Sequence, residues 1–314
     1  MRPLATGAAL ALLLATGCHW PWMQPQPQPP APKPGPIDQK KLAEPADYVS
    51  YLNTKANQIP GMQADLEIDC KQGGQTFGVN AVVAAQKPRY FRLKANVLGK
   101  PAADFGSNNE EFWYWVSRAE PPYLFHCKYD DLPRIKKLPF PFQPDMVLTA
   151  MGMAEYNPNG KYTVRANGGT VELIETTQSP QGAVIYKTTV INAYEATPGH
   201  PQVLAYVLQD KDGKTLCRAN VESVQVVDKA KGTVLPARIK LIWPDAGPKG
   251  EKLEMTMRFY DIRLARYDEQ AVGRTFSRNG LEYQAVDLAR YLTSPNGVTQ
   301  GNGTGLQRVS GRSP

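Results

Sequence analysis

Chemically reactive side chains are few in this sequence, and they form no catalytic or metal-binding pattern. The three histidines, His19, His126 and His200, do not share the short spacing that is typical of a zinc site. The sequence has no Gly-x-Ser-x-Gly nucleophile motif and no Walker phosphate loop. Residues 210–213 (Asp-Lys-Asp-Gly) resemble the start of a calcium loop, but the later ligands are missing, so a hairpin turn explains them better. The sequence therefore predicts a protein that is not an enzyme and that needs no cofactor and no metal.

Aromatic and methionine side chains are the better candidates for binding. Methionine suits adaptable apolar pockets, and aromatic rings bring large apolar surfaces. We expect nine such residues to line a cavity for acyl chains: Phe112, Trp113, Tyr114, Trp115, Met146, Met151, Met153, Met255 and Met257. The alternative for each is ordinary core packing, which is the usual place of these side chains.

A proline-flanked loop adds two further aromatic candidates, Phe140 and Phe142. Either the two rings protrude and contact a membrane or cargo, or the loop lies over the mouth of a barrel.

The N-terminus has the layout of an export signal that ends in a lipid attachment site. Arg2 precedes an apolar run at 8–15, which is too short to cross a bilayer as a helix. Cys18 follows Ala-Thr-Gly at 15–17, which resembles the bacterial lipobox. That resemblance implies cleavage before Cys18 and acylation of its thiol and new amine, which would anchor the chain in a lipid membrane. The alternative is an ordinary secretory signal in which Cys18 has no special role.

The anchored chain is expected to face the periplasm from the outer membrane. In the familiar sorting rule, an aspartate after the acylated cysteine retains a lipoprotein in the inner membrane, and His19 stands there instead. The following residues are rich in proline and predict an extended tether. The predicted organisation is a signal at 1–17, a tether at 18–45, a folded domain at 46–293 and a disordered tail at 294–314.

Composition limits the partners. The chain has 314 residues, a hydrophobic content of 42% and a formal net charge of +7 that is spread along the sequence. We therefore expect one sizeable apolar core, no nucleic-acid site and a monomer. Beyond Cys18 there are only Cys70, Cys127 and Cys217, which allow at most one internal disulfide and are best interpreted as buried apolar side chains.

Most of the folded domain alternates between apolar and polar residues, the pattern of half-buried antiparallel strands. Two helical segments interrupt it: one opens near Glu44-Pro45 and closes at Pro60-Gly61, and the other spans Asp145 to Met153. We count roughly 11–12 strands. A sheet with one apolar face must curl and be covered, so the predicted fold is mainly β, an open antiparallel half-barrel covered by an N-terminal helix and a mid-chain helical insert.

One segment gives this pattern a family resemblance. Residues 97–107 (VLGKPAADFGS) and 109–116 (NEEFWYWV) resemble, in content and order, the LolA/LolB-like lipoprotein carriers. The resemblance covers about residues 46–290 and is specific only from Arg89 to Val116. It implies an open β-barrel whose apolar cavity receives acyl chains, and a membrane-bound member that is itself a lipoprotein.

Two functions follow from these patterns. The first is a membrane-anchored lipoprotein that binds lipid or lipoprotein acyl chains in envelope transport. The second is a structural or protein-interaction lipoprotein of the envelope that uses the same fold without a ligand.

Overall fold

A computed structural model describes residues 42–135, 144–153, 155–192, 202–246 and 250–293. The helices are α1 (Pro45–Asn57), α2 (Pro144–Leu148), α3 (Glu269–Thr275) and α4 (Leu288–Thr293), with a 3₁₀ turn at Tyr129–Arg134 and a π-helical turn at Thr149–Met153. The strands before α2 are β1 (Gly61–Gln72), β2 (Gln75–Gln86), β3 (Tyr90–Val97), β4 (Lys100–Ser107), β5 (Glu111–Val116) and β6 (Leu124–Lys128). The later strands are β7 (Lys161–Asn167), β8 (Thr170–Gln178), β9 (Val184–Asn192), β10 (Val203–Asp210), β11 (Thr215–Asp228), β12 (Thr233–Trp243), β13 (Leu253–Leu264) and β14 (Ala285–Asp287).

All fourteen strands belong to one sheet, in the order β14-β6-β5-β4-β3-β2-β1-β13-β12-β11-β10-β9-β8-β7. Neighbours are antiparallel, except that β14 runs parallel to β6. The edge strands β7 and β14 do not pair with each other within the described residues, so the sheet is unclosed. The predicted fold class is confirmed. The strand count exceeds the predicted 11–12.

The alternating pattern sorts side chains onto two faces. Ile68 lies opposite Met257 in the β1–β13 pair, on the apolar face that we call the inner face. The intervening residues lie on the outer face, where Arg258 is 2.8 Å from Asp69. Because side chains alternate with a period of two, this register places every apolar row of β1 and β13 on one side.

The sheet curls far enough for its distant parts to touch. Gln181, in the turn between β8 and β9, donates from Nε2 to the carbonyl oxygens of Leu132 (3.1 Å) and Ile135 (3.0 Å). These two carbonyls belong to the segment after β6, near the opposite edge of the sheet. A side-chain amide thus joins the two ends where a closed barrel would have backbone pairing.

Helices cover the inner face, as the sequence predicts. In α1, Val49 and Leu52 pack on Leu173 and Ile191 of β8 and β9. The mid-chain insert (Pro144–Met153) lies against α1, β10, β11 and β12. It is not the single helix expected over Asp145–Met153, because α2 ends at Leu148 and a π-helical turn follows.

The C-terminal strap (residues 268–284), which contains α3, crosses the outer face of β3 to β6. It was not predicted from the sequence. The Asp268 side chain caps α3 by accepting from the backbone of Ala271 at 2.8 Å. After the strap, β14 pairs with β6 and α4 covers an apolar cluster around Phe112 and Cys127. None of the helices in the described ranges is long and apolar enough to cross a membrane.

Candidate functional site

The five methionine candidates meet on the inner face. Met255 and Met257 stand on β13, and Met151 and Met153 on the π-helical turn, and all four are buried in one continuous apolar cluster. Met146 of α2 is partly buried against the same cluster. The structure therefore brings methionines from the insert and from the sheet into one surface, which we call the methionine layer.

The insert is held to the sheet by side-chain packing and by a local turn. Gly152 has a φ of 78°, a left-handed conformation that glycine adopts without steric cost. A Cβ at this position would lie 3.9 Å from both Ile59 and Leu235, so the turn sits directly on α1's end and on β12. π-Helical turns disturb regular hydrogen bonding and recur at functional sites.

Two of the aromatic candidates lie on the same face, in a neighbouring cluster. Phe112 is buried with Cys127 beneath Leu288 of α4, and Tyr114 packs beside them. Tyr114 stacks against Phe125 with ring centroids 5.4 Å apart. These rings continue the apolar surface from the methionine layer towards β6.

The other two aromatic candidates, Trp113 and Trp115, lie on the outer face. Trp115 stacks on Tyr283 of the C-terminal strap, with centroids 4.0 Å apart and an interplanar angle of 11°. Trp113 is buried over Gly106, where a Cβ would come within 2.1 Å of the indole ring. Trp113 and Trp115 therefore lie on the face opposite the methionine layer.

A buried ion pair explains much of the motif that carries the family resemblance. Arg92 donates to Asp104 at 2.7 Å, and the indole Nε1 of Trp113 donates to the same carboxylate at 3.3 Å. Arg92 also donates to the carbonyl oxygens of Thr275 (3.1 Å) and Ser277 (2.6 Å) in the strap. Asp104, Gly106 and Trp113 of the motif thus help to fix the strap to the outer face. We call Arg92, Asp104 and Trp113 the outer clamp.

His126 lies under the same strap, on the outer face of β6. Its Nδ1 is 3.4 Å from Glu111, and Glu111 accepts from Arg278 of the strap at 2.7 Å. Burial, followed by the Arg278 charge, lowers the pKa of His126, while Glu111 and Asp287 oppose the shift. This cluster orders the strap. In the described residues, no group of three or more His, Cys, Asp or Glu side chains is placed to hold a metal ion.

Within the described residues, Cys70, Cys127 and Cys217 are free and buried, in agreement with the sequence interpretation. Burial raises the pKa of the Cys70 and Cys217 thiols to about 12 and that of Cys127 to about 11. Thiols with such pKa values are poor nucleophiles at neutral pH.

Three predicted sites lie outside the described residues: the lipidation site Cys18 and the loop residues Phe140 and Phe142. The sequence analysis missed a different exposed apolar residue. Leu98, in the turn between β3 and β4, is 98% exposed and has a φ of 50°. In the sequence, Val97-Leu98-Gly99 resembles an ordinary strand end. The left-handed conformation of Leu98, which makes it project from the turn, is visible only in the structure.

Comparison with known proteins identifies a fold and no sequence family. No family model matches the chain, and a search of curated proteins finds no match. Among solved structures, a DUF1329 family protein from Desulfovibrio piger has a TM-score of 0.50 at 9% identity, over 76% of this chain and 100% of its own. A putative outer membrane lipoprotein-sorting protein domain from Vibrio parahaemolyticus has a TM-score of 0.51 at 7% identity, over 73% of this chain and 96% of its own.

A LolA superfamily protein from Nitrosomonas europaea gives a TM-score of 0.44 at 11% identity, over 73% and 97% of the two chains, which is too low to support an inference. The first two superpositions, at 9% and 7% identity, show the fold alone. This chain therefore has the fold of the DUF1329 protein and of the outer membrane lipoprotein-sorting domain, which confirms the LolA/LolB-like fold that its sequence resembles.

Proposed function

We propose that this chain is a lipid-anchored lipoprotein of the cell envelope that binds acyl chains of a lipid or of a lipoprotein on the inner face of its sheet. The observation that carries this proposal is the methionine layer, in which Met146, Met151 and Met153 of a short insert join Met255 and Met257 of β13. Unbranched thioether side chains repack around a flexible chain at little cost.

The insert is suited to displacement by an acyl chain. α2 has five residues, far fewer than a helix needs to be stable by itself, so its conformation depends on packing against the sheet. An acyl chain offers the inner face the same apolar contacts that the insert provides. We infer that the insert moves aside on binding, with Phe112 and Tyr114 forming the neighbouring apolar wall.

Leu98 supplies a contact with the membrane. It lies at the tip of the turn, with the exposed Lys100 two residues later and the exposed Lys94 four residues earlier in the chain. Such a tip fits the surface of an anionic bilayer, where the leucine enters the acyl region and the lysines remain at the headgroups.

The anchor and location complete the proposal. Acylation of Cys18 after cleavage of the 1–17 signal would hold the domain on the periplasmic side of the outer membrane through the Pro-rich tether. The fold neighbour from Vibrio parahaemolyticus, described as an outer membrane lipoprotein-sorting protein, supports this setting. Mass spectrometry of the mature N-terminus tests the acylation, and Cys18→Ala should release the protein from membranes. A Cys18→Ala protein that stays in the membrane fraction contradicts the anchor.

Acyl binding is tested with a series of fluorescent acyl probes of increasing length. Each buried methylene contributes about 0.8 kcal/mol, so affinity should rise with chain length until the chain outgrows the site. A photoreactive methionine analogue should crosslink the probe to the methionine layer. Absence of probe binding overturns the proposal.

The contact made by Leu98 is tested separately. Leu98→Ser should weaken sedimentation with anionic vesicles while leaving soluble acyl probe binding unchanged. Leu216→Ser is the matched control, because Leu216 is an exposed leucine at the start of β11 on the outer face. Equal losses in both variants would mean that general surface hydrophobicity accounts for vesicle binding.

One observation favours the second function, a structural or interaction module without a ligand. Met257, Ile239 and Leu241 on the inner face are completely buried, as in a filled core. A filled core that never opens predicts no co-purifying lipid and a stable protein partner in membrane pull-downs. Lipid in the purified protein, identified by mass spectrometry, contradicts this alternative.

A further inference from the structure

The turn between β2 and β3 holds both ends of the insert with two cations. Arg89 Nε lies 3.9 Å from Asp145 in the first turn of α2. Lys87 Nζ lies 3.3 Å from Glu155, just after the insert, and donates to Asn57 of α1 at 2.8 Å. The structural elements that cover the methionine layer are therefore fastened to one short turn of the sheet by opposite charges.

The Arg89–Asp145 contact is the weaker of the two, because the Lys87 side chain is only 13% exposed. The Arg89 and Asp145 side chains are 44% and 56% exposed, and their 3.9 Å separation exceeds a hydrogen bond. The guanidinium lies over the Tyr129 ring at 4.5 Å, which fixes its plane. Within the described ranges of the chain, no hydrogen bond from its N–H groups to another side chain or carbonyl is present.

Phosphate is the acceptor that this pair of cations fits best. A guanidinium binds two phosphate oxygens at once, and a lysine nearby adds a compact positive charge. A carboxylate such as Asp145 or Glu155 offers less charge than a phosphate monoester. An anionic phosphate arriving at the turn would therefore compete with both carboxylates for the same cations.

We propose that Lys87 and Arg89 bind the phosphate of a lipid headgroup, and that this phosphate displaces Asp145 and Glu155 and so releases the insert from the methionine layer. The inference rests on the proposed acyl-binding function and adds the substrate class, a phosphate-bearing lipid. Headgroup arrival and opening of the apolar surface are then one event, because both use the same two cations. No covalent step is involved.

The test compares phosphatidic acid with diacylglycerol of the same chains, at micromolar concentration in a neutral detergent, using the full protein. The wild type should bind phosphatidic acid at least about tenfold more tightly. Arg89→Gln should bring the ratio of the two affinities close to one. Arg238→Gln is the matched control, since Arg238 pairs with Glu222 at 2.8 Å on the outer face, and it should keep the wild-type ratio.

Asp145→Asn is the decisive variant, because it removes a competitor and not a ligand. It should raise the affinity for phosphatidic acid by about two- to fivefold, the range expected for release of an exposed ion pair. The exchanged pair Arg89→Asp/Asp145→Arg should keep the fastening of the insert and lose the preference for phosphatidic acid. An unchanged or lower affinity in Asp145→Asn overturns the competition, and an equal fall for both lipids in Arg89→Gln overturns the headgroup site.

Two further outcomes distinguish the lipid headgroup site from a site for free phosphate and from acyl binding without a phosphate site. Inorganic phosphate alone should bind far more weakly than phosphatidic acid, and equal affinities would assign the turn to free phosphate and overturn the lipid headgroup site. Binding of diacylglycerol without any preference for phosphatidic acid leaves acyl binding intact and overturns the phosphate site. Failure of both lipids to bind overturns the proposed function itself.

Discussion

Two arginines three positions apart at the start of β3 pair with aspartates in opposite ways. Arg92 and Asp104, at 5% and 6% exposure, meet at 2.7 Å on the outer face. Arg89 and Asp145, near the insert, are about half exposed and 3.9 Å apart. The same pair of residue types therefore serves two purposes, because burial and additional hydrogen bonds make the first pair permanent whereas exposure leaves the second replaceable.

The partners of each pair reinforce the difference. Arg92 is committed to carbonyl oxygens of the strap as well as to Asp104, so any movement would leave buried polar groups unsatisfied. Arg89 touches only an aromatic ring and one distant carboxylate among the described residues. The outer face of this half of the sheet is thus held by a buried ion pair, whereas Arg89 holds the insert by an exposed one.

The largest expected effect is from Arg92→Met, which leaves Asp104 buried without its cation. We expect the free energy of unfolding to fall by about 3–5 kcal/mol, measured by urea denaturation. The double variant Arg92→Met/Asp104→Leu should recover much of this loss. A loss below about 1 kcal/mol in the single variant would show that the outer clamp contributes no more to the free energy of unfolding than an exposed ion pair does.

Gly106→Ala should have the next largest effect. Its new Cβ would lie 2.1 Å from the Trp113 ring, so the indole must leave its position over β4. Overpacking of this kind costs about 1–3 kcal/mol. Gly273→Ala in α3 is the control, because its Cβ meets nothing within 4 Å, and there alanine should be neutral or stabilising. Equal effects of the two substitutions would contradict the fit of Trp113 on Gly106.

Mild acid should act on the outer face through His126. Because the pKa of His126 is lowered in the fold, the unfolded chain binds the proton first as pH falls below about 6.5. The stability contributed by neutral His126 is therefore present above that pH and is lost as pH falls through the folded pKa. His126→Gln should flatten this part of the pH–stability curve, measured by urea denaturation. An unchanged curve would exclude His126 as its cause.

The smallest effect is expected from Arg89→Met. Removal of an exposed, long ion pair should change the free energy of unfolding by no more than about 1 kcal/mol. The same urea measurement, made beside Arg92→Met, gives the comparison directly. Comparable losses in the two variants would mean that the fastening of the insert is as permanent as the outer clamp, and it would remove the basis for exchange with a phosphate.

The features of the fold that depend on side-chain periodicity and composition, such as the faces of strands and the starts of helices, were predicted from the sequence. The alternation in β1 and β13 placed Ile68 and Met257 on one face, and the helix starts at Pro45 and Asp145 were close to those observed. The methionines of the insert and of β13 lie in one apolar cluster, since apolar residues on covering elements must meet the one apolar face.

The remaining features depend on contacts between residues far apart in the sequence. The strap was missed because its polar residues gain their purpose only when Arg92 meets Thr275 and Ser277. All four aromatic residues of β5 were expected to line one cavity, but they alternate along the strand, and the strap buries Trp113 and Trp115 on the outer face. Lys87 and Arg89 look like ordinary turn residues until the insert's carboxylates are placed beside them.

The central position of β1 and β13 determines the order in which the chain can fold. These two strands pair with each other, and Glu67 and Tyr260, 193 positions apart, are joined by a hydrogen bond of 3.0 Å across them. Contacts of such separation form slowly because a long loop must close first. Until β13 arrives, β1 presents an unpaired edge with an apolar side, which invites association with other chains. Because β13 ends at Leu264, the centre of the sheet cannot be completed until most of the chain is available.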